Sequence, residues 1–133
     1  METHERKKLI THYFDNISNT RDYWIKKNQS FYDEDRAFMK FLVEPNLNIL
    51  DIGCGTGDLL SSMKPKYGMG IDISPKMIEI AKQRHPTSKF LVGDIENENF
   101  VSKIKKKFDV IILSDVFGFF NDCQKTLANI HLF

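Results

Sequence analysis

The chain has 133 residues, 41% apolar and 28% charged, a composition that suits one folded domain of ordinary size. Nineteen Lys plus Arg against eighteen Asp plus Glu leave a formal charge of +1, without the basic footprint of a dedicated nucleic-acid binder. No stretch has the apolar length of a membrane span, and Cys54 and Cys123 are too few for a disulfide framework or a cysteine-rich metal site.

The N-terminus, METHERKKLITHYF, is charged and lacks the apolar core of a secretory signal, so a cytoplasmic location is expected. Residues 1–44 are polar with scattered aromatics and predict two or three short helices. Leu9, Tyr13 and Phe14 fall at helical spacing, as do Ala37, Phe38, Phe41 and Leu42. Pro45 ends that pattern, because its ring disfavours helical geometry at Glu44. The chain divides there into an N-terminal helical cap, residues 1–44, and a second unit, residues 45–133.

From Pro45 onward, compact apolar runs alternate with amphipathic segments. Leu47 to Ile52 predicts a first strand, closed by the glycine-rich run Gly53-Cys-Gly-Thr-Gly57. Asp58 to Lys64 predicts a helix with Leu59, Leu60 and Met63 on one face. Tyr67 to Ile73 is the second strand. Ser74 then caps a helix whose first position suits Pro75, and Met77, Ile80 and Ala81 form its inward face. Phe90 to Val92 is the third strand and Phe108 to Leu113 the fourth; Glu96 to Lys107, between them, predicts a short helix or a loop. A last helix begins near Asp122, with Cys123, Leu127 and Ile130 on one side.

This repeated order predicts an α/β fold, a three-layer sandwich with a mostly parallel sheet whose strands are ordered 3-2-1-4. Continuous apolar strands agree with burial on both faces. Right-handed crossovers bring the strand C-termini to one edge, where ligands bind in open α/β sheets. No strand follows the last helix, so the fourth strand is left at an edge although it reads as a central one. Its expected cover is the N-terminal helices, a second copy in a homodimer, or the C-terminal portion of a longer polypeptide.

The most informative segment is Asp51-Ile-Gly-Cys-Gly-Thr-Gly57. Three glycines at alternate positions between strand and helix allow sharp turning and close approach of a ligand. A phosphate-cradling loop needs a Lys that is absent here, and a dinucleotide fingerprint needs glycine where Asp58 stands. The remaining choice is a nucleoside ligand without pyrophosphate, for which nearby carboxylates are an asset. Asp72 ends the second strand, where a carboxylate accepts hydrogen bonds from a ribose diol. Asp94 ends the third and offers an acceptor for an exocyclic adenine amine, with Ile95 placed against the ring. Asp51, Asp72 and Asp94 therefore converge on one sheet edge.

With these motifs the sequence resembles class I S-adenosyl-L-methionine-dependent methyltransferases of the small-molecule type. Leu50 to Gly57 is similar to the family's first motif, Gly70 to Met77 to its second-strand segment and Val92 to Ile95 to its adenine-binding segment. Phe108 to Val116 resembles the fourth strand and its exit. The resemblance implies a Rossmann-like fold with S-adenosyl-L-methionine as cofactor. Gly53, Gly55 and Gly57 would approach its methionine part, with Cys54 a buried filler bordering it. Asp51 would position the loop and the amino group. Asp72 would hold the ribose, Ile73, Asp94 and Ile95 the adenine, and Ser114 would border cofactor and acceptor. Tyr13 or Tyr32 would reach the carboxylate.

The implied activity is methyl transfer to a small-molecule acceptor that the sequence does not identify. The family's sheet has seven strands and four are read here, so a domain lacking its C-terminal strands is expected. Other readings are a non-catalytic S-adenosylmethionine-binding or protein-interaction module, an inactive N-terminal fragment of a longer methyltransferase and, third, an NAD-dependent oxidoreductase, against which Asp58 argues. No metal is expected and no catalytic base is assigned. Asp115 is the best-placed acid, while His85 is expected opposite the glycine loop. Phe117, Phe119 and Phe120 read as an acceptor-pocket wall or as core.

Overall fold

Three helices precede the sheet in the computed structural model, which describes residues 2–133. They are α1 (Thr3–Ile17), α2 (Arg21–Lys27) and α3 (Gln29–Leu42), and none of them fully buries a residue. The elements that follow are β1 (Asn48–Ile52), α4 (Asp58–Ser62), β2 (Tyr67–Asp72), α5 (Pro75–Arg84) and β3 (Lys89–Val92). After these come α6 (Glu98–Val101), β4 (Val110–Ile112), a 3-10 turn at Phe117–Phe119 and α7 (Cys123–Ile130).

The four strands form one parallel sheet in the order β3-β2-β1-β4, which confirms the expected topology. Asp51 of β1 stands beside Gly70 of β2 and Ile112 of β4, while Asp72 of β2 stands beside Val92 of β3. Alternate residues of β1 enter opposite cores. Ile49 packs with Leu60, Ile78, Ala81 and Phe90 on the α4–α5 side. Leu50 and Ile52 pack with Met69, Ile71, Val101 and Ile130 on the α6–α7 side. Both faces are covered, which is why these strands read as uninterrupted apolar runs.

Two helix faces differ from expectation. In α5 the buried residues are Met77, Ile78 and Ala81, so Ile78 takes the place expected of Ile80. The predicted Ser74 cap is present, its Oγ accepting from the Met77 N–H at 3.2 Å. In α7 the buried residues are Thr126, Asn129 and Ile130, whereas Cys123 and Leu127 are exposed. Partners explain this face: Asn129 Nδ2 donates to the Ile95 carbonyl at 3.1 Å and Thr126 Oγ1 to the Asp122 carbonyl at 2.9 Å. A polar side chain with a partner is buried at little cost, and apolar spacing alone does not reveal it.

Among the described residues the outer edge of β4 has no strand partner, and the C-terminal end of α3 lies beside it. Met39, Leu42 and Val43 face Val110 and Leu113 across a shallow groove. The predicted helical aromatics of α3 are not core: Phe38 and Phe41 are exposed, Phe41 at 85%.

Candidate cofactor-binding site

The C-terminal ends of β1, β2, β3 and β4 open into a cavity of about 330 Å³, roofed by α1, α2 and α3. That volume lies within the range of small-molecule sites. Asp51, Gly53, Cys54, Gly55, Asp72, Ile73, Asp94, Ile95 and Ser114 all line it, as do Tyr13 and Tyr32 from the helical roof. Gly57 does not reach it. A β carbon on it would meet Phe90 and His85.

The glycine loop owes its shape to left-handed backbone. Gly53, Gly55 and Gly57 have φ of 76°, 53° and 81°, values that L side chains rarely adopt. Space is short as well: a β carbon on Gly53 would stand 2.6 Å from Val116 Cγ2. Asp72 closes the loop from the neighbouring strand. Its Oδ2 accepts the Gly55 N–H at 2.8 Å and its Oδ1 the Ser74 N–H at 2.9 Å. Each oxygen keeps acceptor capacity for a ligand hydroxyl.

Asp51 is buried at the end of β1, only 2% exposed. Burial, reinforced by the charge of Asp72, pushes its carboxyl up to about 7. Burial also raises Asp72, against the backbone N–H groups of Ser74, Gly55 and Ile73 and the Arg21 charge, which favour its charged form. The Cys54 thiol is driven well above its ordinary value, again chiefly by burial, and stays neutral. A buried acid of this kind is matched by a cationic ligand.

Arg21, at the start of α2, supplies the opposite charge and was not found from the sequence. A β carbon on Gly55 would stand 3.3 Å from the Arg21 guanidinium, so the side chain lies directly over the loop. Its buried Nε has no hydrogen-bond partner, and it lowers the pKa of both Asp51 and Asp72. The cavity thus carries the buried acid Asp51 and the Arg21 guanidinium, whose buried Nε is unpartnered, beside one glycine loop.

Lys7, Asp94 and Asp58 are already engaged. Lys7 Nζ pairs with Asp94 Oδ1 at 3.2 Å and with Glu96, tying α1 to the end of β3. Asp58 lines the cavity, yet its oxygens meet His85 Nε2 at 2.8 Å and Arg84 Nη1 at 3.6 Å. His85 was expected opposite the glycine loop; it instead sits beneath it, against Gly57. At the β4 exit, Asp115 has φ of 55° and lines the cavity with Ser114, Val116, Phe119 and Phe120. Phe119 also meets Phe14 edge-on at 5.0 Å, so this aromatic group serves as wall and as roof support. Among the described residues no cluster of His, Cys, Asp and Glu is arranged to hold a metal, and no helix is long and apolar enough to cross a membrane.

A family model described as a methyltransferase domain matches residues 43–133. Demethylmenaquinone methyltransferase of Thermotoga maritima is 33% identical over 130 residues, covering 91% of this chain and 55% of the relative. A malonyl-[acyl-carrier protein] O-methyltransferase of Halalkalibacterium halodurans is 31% identical over 126 residues, covering 90% and 45% respectively. The chain spans about half the length of these curated relatives. A solved SAM-dependent methyltransferase from Thermotoga maritima superposes with a TM-score of 0.72 at 26% identity, covering 90% of this chain and 54% of that one. Another, from Corynebacterium glutamicum, gives 0.62 at 26% identity over 83% and 64%. Sequence match and strand order agree: the chain belongs to the methyltransferase domain family and takes the fold of its S-adenosylmethionine-dependent members.

Proposed function

We propose that this chain binds S-adenosylmethionine in the cavity above the glycine loop and serves methyl transfer to a small-molecule acceptor. The observation that carries the reading is the charge pattern of the cavity. The amino-acid end of this cofactor is an ammonium beside a carboxylate, and the cavity offers a buried acid, Asp51, and a guanidinium, Arg21, whose buried Nε has no partner. Asp51 takes the ammonium and Arg21 the carboxylate, the latter a role that the resemblance gave to Tyr13 or Tyr32. Asp72 accepts from the ribose hydroxyls, with Ile73, Asp94 and Ile95 around the adenine. Gly53 and Gly55 allow the approach; Gly57 shapes the loop from behind.

The bound cofactor supplies an electrophilic methyl group on a sulfonium. Its displacement needs alignment more than proton transfer at the leaving group. The protein's part is to hold the donor, exclude water with the roof helices and present the acceptor near Ser114, Asp115, Val116, Phe119 and Phe120. Residues 1–44 act as a cap over a cofactor-binding unit formed by residues 45–133. The free edge of β4 is where a C-terminal portion or a second copy completes the acceptor wall.

Calorimetric titration with S-adenosylhomocysteine and, separately, NADH tests this reading. Binding of the former at least about 100-fold tighter is expected, because a pyrophosphate would bring negative charge into a cavity lined by the Asp51, Asp58 and Asp72 carboxyls. Equal affinities would overturn it.

A further inference from the structure

We infer that the Asp22–Arg84 ion pair positions Arg21 over the glycine loop, and so sets affinity for the amino-acid end of the cofactor without touching it. This rests on the assignment of Arg21 to the cofactor carboxylate. The argument begins with what holds α2. This helix of seven residues has no buried residue, and its Tyr23 and Trp24 are more than half exposed. Apolar burial therefore does little to fix its place. The buried Nε of Arg21 has no partner, so no polar contact there anchors the guanidinium either.

Asp22, the next residue, is held. Arg84 Nη1 donates to Asp22 Oδ1 at 2.9 Å, and Nη2 reaches the other oxygen, giving the forked geometry that fixes direction as well as distance. Among the described residues this is the one polar side-chain tie between α2 and the sheet unit. The pairing holds the Asp22 carboxyl below its ordinary range and raises Arg84.

Arg84 is itself referenced to the loop. Its Nη1 stands 3.6 Å from Asp58 Oδ2, and Asp58 directly follows Gly57. The other Asp58 oxygen meets His85 Nε2 at 2.8 Å, and Thr56 Oγ1 donates to Oδ2 at 3.2 Å. A continuous chain thus runs from the glycine loop through Asp58 and Arg84 to Asp22, and returns over Gly55 as Arg21. The first turn of α2 is registered against the very backbone that its arginine must face.

The test uses two probes: S-adenosylhomocysteine, which carries the amino acid, and 5′-methylthioadenosine, which lacks it. Asp22→Asn and Arg84→Gln are each expected to weaken the first by about fivefold and to leave the second within about twofold. Asp22→Glu should retain most of the affinity. The double variant should lose no more than either single one, since the two residues act as a unit. Equal losses for both probes would mean that the pair only stabilises the cap, and no loss would mean that it positions nothing; either result overturns the inference. Arg21→Ala separates it from the reading on which it rests. If Arg21→Ala spares the preference for the amino-acid probe, the carboxylate assignment fails; if it abolishes the preference while Asp22→Asn does not, the positioning role alone fails.

Discussion

The carboxylate of Asp72 accepts the backbone N–H of Gly55 at 2.8 Å, joining the acid at the end of β2 to the middle of the glycine loop that ends β1. The two motifs form one structural unit. With Ser74 N–H on its second oxygen, Asp72 fixes the loop and the start of α5 together, and presents its remaining lone pairs to the cavity.

Asp72→Ala therefore removes both a ligand acceptor and a loop brace. Loss of about 1–3 kcal/mol in binding of S-adenosylhomocysteine is expected, with a smaller loss for Asp72→Asn, which keeps one acceptor oxygen. Titration calorimetry decides: affinity equal to wild type in the alanine variant would remove Asp72 from the site.

Gly57 and Gly118 make a controlled pair for stability. At Gly57 the backbone has φ of 81°, and a β carbon would stand 2.7 Å from Phe90 Cζ; at Gly118 nothing lies within 4 Å of that position. Gly57→Ala should cost about 1–2 kcal/mol from backbone strain alone, with crowding against Phe90 added. Gly118→Ala should be close to neutral. Urea midpoints of the two variants check this, and similar midpoints would contradict the account of the loop.

Much of this was legible because buried parallel strands and glycine loops leave local marks. Ile49, Leu50 and Ile52 read as a strand since both faces are covered, and Ser74-Pro75 announced α5 through its cap. Asp51, Asp72 and Asp94 could be placed because strand order brings their ends to one edge. Arg21 left no such mark: it reaches Gly55 only through the tertiary path of α2, and one arginine among many charges has no local signature. The pairing of His85 with Asp58 was hidden for the same reason. The phase of α7 was misread because Asn129 is buried by a partner on another element, the Ile95 carbonyl, which no hydrophobic pattern encodes.

Asp51 gives the site a pH dependence whose sign follows from its environment. Burial, with the Asp72 charge behind it, raises its carboxyl to about 7, so near neutrality the free protein is divided between the neutral and charged forms. The cofactor's ammonium requires the charged form. Below pH 7, binding must therefore expel a proton, and affinity should fall by up to about tenfold per pH unit as the solution becomes more acidic. Above pH 7 this dependence should level off. Folding of the free chain responds in the opposite sense. A carboxyl raised above its unfolded value contributes stability that is complete below the ordinary carboxylate range and is lost as the pH rises through about 7. Asp51→Asn should flatten both profiles and weaken binding at pH 7.5, where the wild-type acid is mostly charged. Calorimetry in two buffers of different ionisation enthalpy measures the proton released on binding, and urea midpoints measure the folding side. A wild-type affinity that is flat from pH 5.5 to 7, or proton uptake in place of release, would show that Asp51 does not receive the cofactor's ammonium.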